Sequence, residues 1–336
     1  MKNIIASLVL GFALLTSSHA AEADNKTAEH LQTVSVTIRS EGQFSNGEGS
    51  GVIFTRKNSK GELVNFVWTA AHVIDNLRKE RQVLVNGAKK TIVEFKDPMI
   101  VKEIRQNGRT VGRLQMDAEV LKYSDADDGH DLALLRVRKT NFVTDTVTFY
   151  LDDKIPGLGT DLLHVGSLLG QMGANSMTDG IYSQHGRLIK SLNKFVFDQT
   201  TVNAFPGSSG GGVYTKGDAK YIGMLVRGAG ETFNLIVPVR RMKEWAKKND
   251  IEWALDPSKP MPSAEELAKL PIEDTGGKDD KGDAGKKVHT YVETNKMFPF
   301  MLRVTPKTKQ LPLIIGPSII DTEPLNPTNF RIKTIK

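Results

Sequence analysis

The chain has 336 residues, 39% of them hydrophobic and 25% charged, with a formal charge of +6 and no cysteine. That length holds one large or two modest domains with enough apolar material for a sizeable core. The lack of cysteine excludes disulfides, thiolate metal sites and a lipoprotein attachment residue. The positive charge is scattered through segments such as "NLRKERQ" and "NGAKKT", reads as solvated surface, and forms no nucleic-acid motif.

Residues 1–20, "MKNIIASLVLGFALLTSSHA", carry the pattern of a secretory signal: Lys2, an apolar stretch from Ile4 to Leu15, and small residues at Ser18 and Ala20. The apolar stretch falls short of the roughly 20 residues that span a bilayer. Cleavage near Ala20 is expected, with no membrane insertion afterwards. Export without cysteine points to a periplasm, with full secretion as the alternative.

After a polar leader over 21–30, short strand patterns follow one another. In "TVSVTIRS", Val34, Val36 and Ile38 alternate with polar residues, as in a strand exposed on one face. "GSGVIFTR", "VNFVWTA", "KTIVEF" and "DLALLRV" come next. A second set runs from "DLLHVGS" through "GIYSQHG", "KFVFDQTTV", "GGGVYT" and "YIGMLVRG" to "FNLIVPV". Many short strands and few helical patterns argue for an all-β sandwich or a pair of barrels. The one good helix is "PVRRMKEWAKKN", with Val239, Met242, Trp245 and Ala246 on one face. Past about residue 256 the chain turns proline-bounded, then glycine- and charge-rich, and reads as a flexible linker over 256–288. "DDKGD" lacks the regular spacing of a calcium loop. Residues 289–336 regain apolar character and form a tail of unknown role, either docking on the main body or binding a partner.

Three segments carry chemistry. "VWTAAHVI" places His72 just after a strand, "DGHDLALLRV" places Asp131 at the start of one, and "FPGSSGGGV" places Ser209 in a glycine loop. A serine hydroxyl is a weak nucleophile near neutral pH. It needs an imidazole as base, and the imidazole needs a carboxylate to fix its tautomer and stabilise its cation. Gly207 lets the chain turn so that its own N–H and that of Ser209 converge on one point, an oxyanion hole. Gly210 and Gly211 leave room for close approach of the segment bearing the histidine. Ser209, flanked as G-x-S-G-G, is preferred to Ser208 as nucleophile.

"TAAH", "DLALL" and "GSSGG", in that order, resemble the three catalytic boxes of the chymotrypsin-like serine peptidases. "GEGSGVIF", "GIYSQHGR" and "FNLIVPVRRM" are similar to segments of the bacterial Deg-type branch. The resemblance covers about residues 31–250. It implies two six-stranded antiparallel β-barrels with the site between them. The first, over 31–150, would carry His72 and Asp131; the second, over 151–255, would carry Ser209 and a C-terminal helix. It further implies His72 as general base, Asp131 as its orienting acid, Ser209 as nucleophile, and the Gly207 and Ser209 N–H groups as oxyanion donors. No metal or organic cofactor is implied. The tail shows no PDZ pattern, which leaves Deg-like oligomerisation without support.

In this family the residue six before the nucleophile sits at the base of the specificity pocket. Here it is the neutral Asn203, which argues against a preference for Lys or Arg. Gly228 on the strand "LVRGAG" would leave the pocket entrance open, so an uncharged side chain of small to medium size is expected. Arg227 beside it keeps an acidic preference as the minority view. The reading is an exported serine endopeptidase acting on proteins or peptides. The alternatives are a catalytically inactive binding protein on the same fold, and an esterase. An α/β-hydrolase also uses G-x-S-x-G, but needs a later histidine, and only His289 follows the serine.

Overall fold

The computed structural model describes residues 26–273 apart from 86, 107, 190–194, 229 and 231. The segments expected as signal (1–20), as linker beyond 273 and as tail (289–336) lie outside the described residues. A helix over 26–33 (α1) leads into two closed six-stranded barrels. The first runs in the order β1 (Ser35–Glu41), β2 (Asn46–Lys57), β3 (Leu63–Thr69), β8 (Leu132–Val137), β7 (Arg109–Ser124) and β6 (Met99–Gln106). The second runs β10 (Gly173–Leu188), β11 (Val196–Thr200), β14 (Asn234–Pro238), β13 (Tyr221–Gly228), β12 (Gly212–Thr215) and β9 (Asp161–Leu168). All the pairings within both barrels are antiparallel, and no described helix is long and apolar enough to cross a membrane. The all-β, two-barrel expectation is met.

The alternation in β1 has a different cause from the one expected. Val36 and Ile38 are buried, but so are Ser35, Thr37 and Ser40 between and beside them. The polar face of β1 meets the second barrel, where the Thr37 and Ser167 hydroxyls share a hydrogen bond at 2.6 Å. Polar residues at this seam are paired rather than solvated.

The basic segments around residues 78–95 form a hairpin outside the barrels, β4 (Arg78–Val85) with β5 (Ala88–Phe95). Its charges remain largely exposed, as read from the sequence.

Helix α2 (Val239–Lys248) buries Val239, Met242, Trp245 and Ala246, the predicted face. That face returns to the first barrel. Trp245 meets Trp68 edge-on at 5.9 Å, and Trp68 Nε1 donates to the Ala254 carbonyl at 3.0 Å. Trp253 then packs edge-on against Phe66 at 4.9 Å. Burying side chains of this size contributes about 1.5–3 kcal/mol each.

Residues 256–273, the first part of the segment expected as linker, also pack on the first barrel. Helix α3 (Ala264–Leu267) starts on a capping box between Ser263 and Glu266 and buries Leu267. Tyr123 N–H then donates to the Ile272 carbonyl at 2.7 Å. The buried Lys122 ammonium donates to the carbonyls of Pro271 and Glu273 at 2.9 and 3.3 Å. The packed body thus runs at least to Glu273 rather than ending at α2.

Candidate active site

The pairing of β3 with β8 sets Thr69 opposite Ala133. The chain leaves β3 through Ala70 into a 3-10 turn over Ala71–Val73, and Asp131 immediately precedes β8. That register brings two residues 59 apart in sequence into contact. His72 Nδ1 lies 2.9 Å from Asp131 Oδ2 and 3.0 Å from Oδ1, and the His72 backbone N–H donates to Oδ1 at 3.1 Å. Asp131 adopts φ 56°, a left-handed conformation uncommon outside glycine. Its carboxyl is buried, which works against its charge. The Arg227 guanidinium and His72 outweigh that and hold it well below the usual carboxylate range.

Ser208 and Ser209 have separate surroundings. Ser208 is buried and its Oγ accepts the Phe205 N–H at 3.0 Å, a local structural bond. Ser209 is half-exposed, and its hydroxyl donates to the Val226 carbonyl at 3.5 Å. Ser209 and His72 share no hydrogen bond in this structure.

The loop around Ser209 leaves two N–H groups without an acceptor among the described residues. The Pro206 carbonyl accepts the Leu169 N–H at 2.7 Å, and the Ser208 carbonyl accepts the Gly211 N–H at 3.0 Å. In a trans peptide the N–H points opposite to the C=O. Tying those two carbonyls therefore turns the Gly207 and Ser209 N–H groups away, and neither has an acceptor among the described residues. Gly207 has φ +92°, and a Cβ there would lie 2.2 Å from the Ser167 carbonyl oxygen. No other residue fits that turn. Gly210, at φ +88°, meets the first barrel: its Cβ would lie 2.1 Å from the Ser50 carbonyl oxygen. The seam is closed by Ser50 itself, which the sequence reading had not singled out.

Asn203 is exposed at the loop entrance. A methyl group at Gly228 would come within 2.6 Å of Asn234 Oδ1 and 3.0 Å of the Ala204 methyl. Asn234 is fully buried, donates its amide to the Val202 carbonyl at 2.7 Å, and leaves Oδ1 without a partner. The surroundings of Gly228 are thus tighter and more polar than expected, with Asn234 missed because nothing in its local sequence marks it.

Three further histidines have partners of their own. His164 is buried beneath the serine loop, with Nδ1 at 2.9 Å from the Gly212 carbonyl. Burial pushes its pKa down to about 4. His185 Nε2 contacts the Pro156 carbonyl at 2.9 Å. His130 is half-buried, with its ring on Phe195 at 4.1 Å and its carbonyl accepting from Arg241 at 2.7 Å. Asp125 accepts the N–H groups of Asp127 and Asp128 at 2.8 Å, closing the acidic loop on itself.

The His72–Asp131 pair thus stands on one closed β-barrel and Ser209 in a glycine turn on the second, the two-barrel architecture on which the class of trypsin-like domains is built. The trypsin-like peptidase domain matches residues 49–224, and the chain belongs to that family. It is 32% identical over 166 residues to "Serine protease Do-like HtrA" of Lactobacillus helveticus, covering 49% of this chain and 32% of that protein. To the protein of the same name from Lactococcus lactis subsp. cremoris it is 30% identical over 178 residues, covering 51% and 35%. The chain thus spans about a third of the length of these relatives. Among solved structures, the serine endoprotease from Yersinia pestis has 20% identity and a TM-score of 0.48, over 67% of this chain and 65% of that one.

Proposed function

We propose that this chain is a serine endopeptidase that hydrolyses protein or peptide substrates through an acyl-enzyme on Ser209. His72 takes the Ser209 proton and later returns one to the leaving amine, and Asp131 stabilises the imidazolium. The Gly207 and Ser209 N–H groups receive the oxyanion. The observation that carries this reading is the 2.9 Å His72–Asp131 contact beside a serine loop with two N–H groups left unbonded. Asn203 and Asn234 give the pocket a neutral polar character, suited to an uncharged side chain of modest size.

The reading includes export, with the signal segment removed near Ala20, and a tail over 289–336 that takes no part in the chemistry. N-terminal sequencing of exported protein should begin near Ala21; an intact Met1 would refute the cleavage.

A non-catalytic binding protein is the second reading, favoured by the missing Ser209–His72 hydrogen bond. The two separate on incubation with an unfolded protein substrate. Cleavage by the wild type and none by Ser209→Ala supports the peptidase. Equal, negligible cleavage by both supports the binder. A chain that turns over activated esters but no peptide would be an esterase.

A further inference from the structure

Arg227 lies on β13 between Val226, whose carbonyl faces Ser209, and Gly228 at the pocket. Its side chain crosses to the first barrel and is only 9% exposed. Nη1 lies 2.6 Å from His72 Nδ1, 2.8 Å from Asp131 Oδ2 and 3.0 Å from the Val226 carbonyl oxygen. These contacts conflict. An imidazole nitrogen has one site in the ring plane, holding either a proton or a lone pair, and a guanidinium can only donate. Nδ1 therefore accepts from Arg227, or it carries the proton and donates to Asp131.

The first state puts the imidazole proton on Nε2. That nitrogen then has no lone pair with which to take the proton of Ser209. The Ser209 hydroxyl is in keeping with this state, turned to the Val226 carbonyl that Arg227 also holds.

We propose that Arg227 is a positioning residue that holds His72 in the unproductive tautomer until a substrate carboxylate draws the guanidinium away. This rests on the peptidase reading. A nearly buried guanidinium that leaves Asp131 needs another anion, and a carboxylate matches its fork with two parallel hydrogen bonds. A neutral peptide offers no such exchange. Asp131 keeps the His72 backbone N–H and gains Nδ1–H once Arg227 departs. The proton on Nε2 passes to solvent and one from solvent arrives on Nδ1, so the charge on His72 is unchanged. Because Arg227 adjoins the pocket strand at the His72 side, the acidic residue is the one immediately before the residue that fills the pocket. The sequence suggested an acidic preference through Arg227; the structure attaches it to the base rather than to the pocket.

The test combines nitrogen-15 NMR of His72 with kinetics on two peptides that differ only in Glu or Gln at that position. In resting wild type, Nδ1 should be unprotonated and Nε2 protonated; in Arg227→Gln, Nδ1 should carry the proton. The wild type should prefer the Glu peptide by about tenfold or more in kcat/KM. Arg227→Gln should erase that preference and raise turnover of the Gln peptide, whereas loss of a merely structural contact would slow both peptides alike. Arg227→Lys, which keeps the charge without the fork, should retain part of the preference and serves if the Gln variant does not fold. A protonated Nδ1 in the resting wild type, or equal slowing of both peptides in the variant, overturns the proposal. The NMR reading does not depend on turnover, so the expected tautomer with no cleavage of either peptide would refute the peptidase reading alone.

Discussion

Ser50, on β2 of the first barrel, donates its hydroxyl to the Gly207 carbonyl on the second at 2.6 Å. Its Oγ also accepts the Ser167 N–H at 2.7 Å, and its backbone N–H donates to the Ser209 carbonyl at 2.8 Å. One small side chain thereby holds the serine loop against the barrel that carries His72 and Asp131. In Ser50→Ala the backbone bond survives, but a half-buried carbonyl and a buried N–H each lose a partner, at a cost of about 1–3 kcal/mol. We expect kcat to fall about 10- to 100-fold, with a smaller change in KM, because the loss falls on the oxyanion donors. Steady-state kinetics on a short peptide measure both. An unchanged kcat would mean the loop holds its shape without this tie.

The two serines should separate cleanly. Ser209→Ala should lower kcat by several orders of magnitude, leaving the residual rate that oxyanion donors and binding supply. Ser208→Ala removes only the acceptor for the Phe205 N–H and should cost about 1 kcal/mol of stability with most turnover kept. Loss of turnover in Ser208→Ala alone would move the nucleophile.

His164 should make stability depend on pH. Its pKa in the folded protein is about 4, below the ordinary imidazole value because burial disfavours the cation. Between about pH 6.5 and 4 the unfolded chain binds the proton more readily, so the contribution is complete above about 6.5 and is lost as pH falls through that window, by up to about 3 kcal/mol. Urea unfolding of wild type and His164→Gln from pH 7 to 4 should give curves that converge as pH falls. Parallel curves would show that folding leaves the pKa of His164 unchanged.

The packed segment after α2 predicts where the chain can be shortened. Ended after Glu273, it should keep its melting temperature within a few degrees and its peptide turnover. Ended at Pro257, it loses the Pro271 and Glu273 carbonyls that receive the buried Lys122 ammonium, as well as buried Leu267. Removing partners from a buried charge is costly, about 3–5 kcal/mol at its fullest. Thermal melts of the two shortened chains compare them directly, and equal melting temperatures would show that residues 258–273 add nothing.

The parts legible in the sequence were those with local signatures. The apolar face of α2 follows from 3.6-residue spacing at Val239, Met242, Trp245 and Ala246. The preference for Ser209 over Ser208 follows from its flanking glycines, and the two hydroxyls have different partners in the structure. The missed features are long-range. Ser50, Asn234 and the Lys122–Pro271 contact depend on which strands meet across a seam, and no spacing in the chain encodes that. Arg227 lay in view, but whether it faced the pocket or crossed to His72 depends on the twist at the end of β13. The proline-bounded 256–273 segment reads as linker because its contacts are mostly backbone carbonyls that accept hydrogen bonds from groups of the barrel, which no side-chain pattern marks.

The central claim is that Ser209 is activated as a nucleophile in the folded protein. Reaction with a fluorophosphonate, followed by intact-mass measurement and location of the adduct by peptide sequencing, tests it most directly. The account predicts a single adduct on Ser209, slowed strongly in His72→Ala and absent from Ser209→Ala and from unfolded protein. No adduct on the folded wild type over prolonged incubation, or one that His72→Ala leaves unchanged in rate, would contradict it.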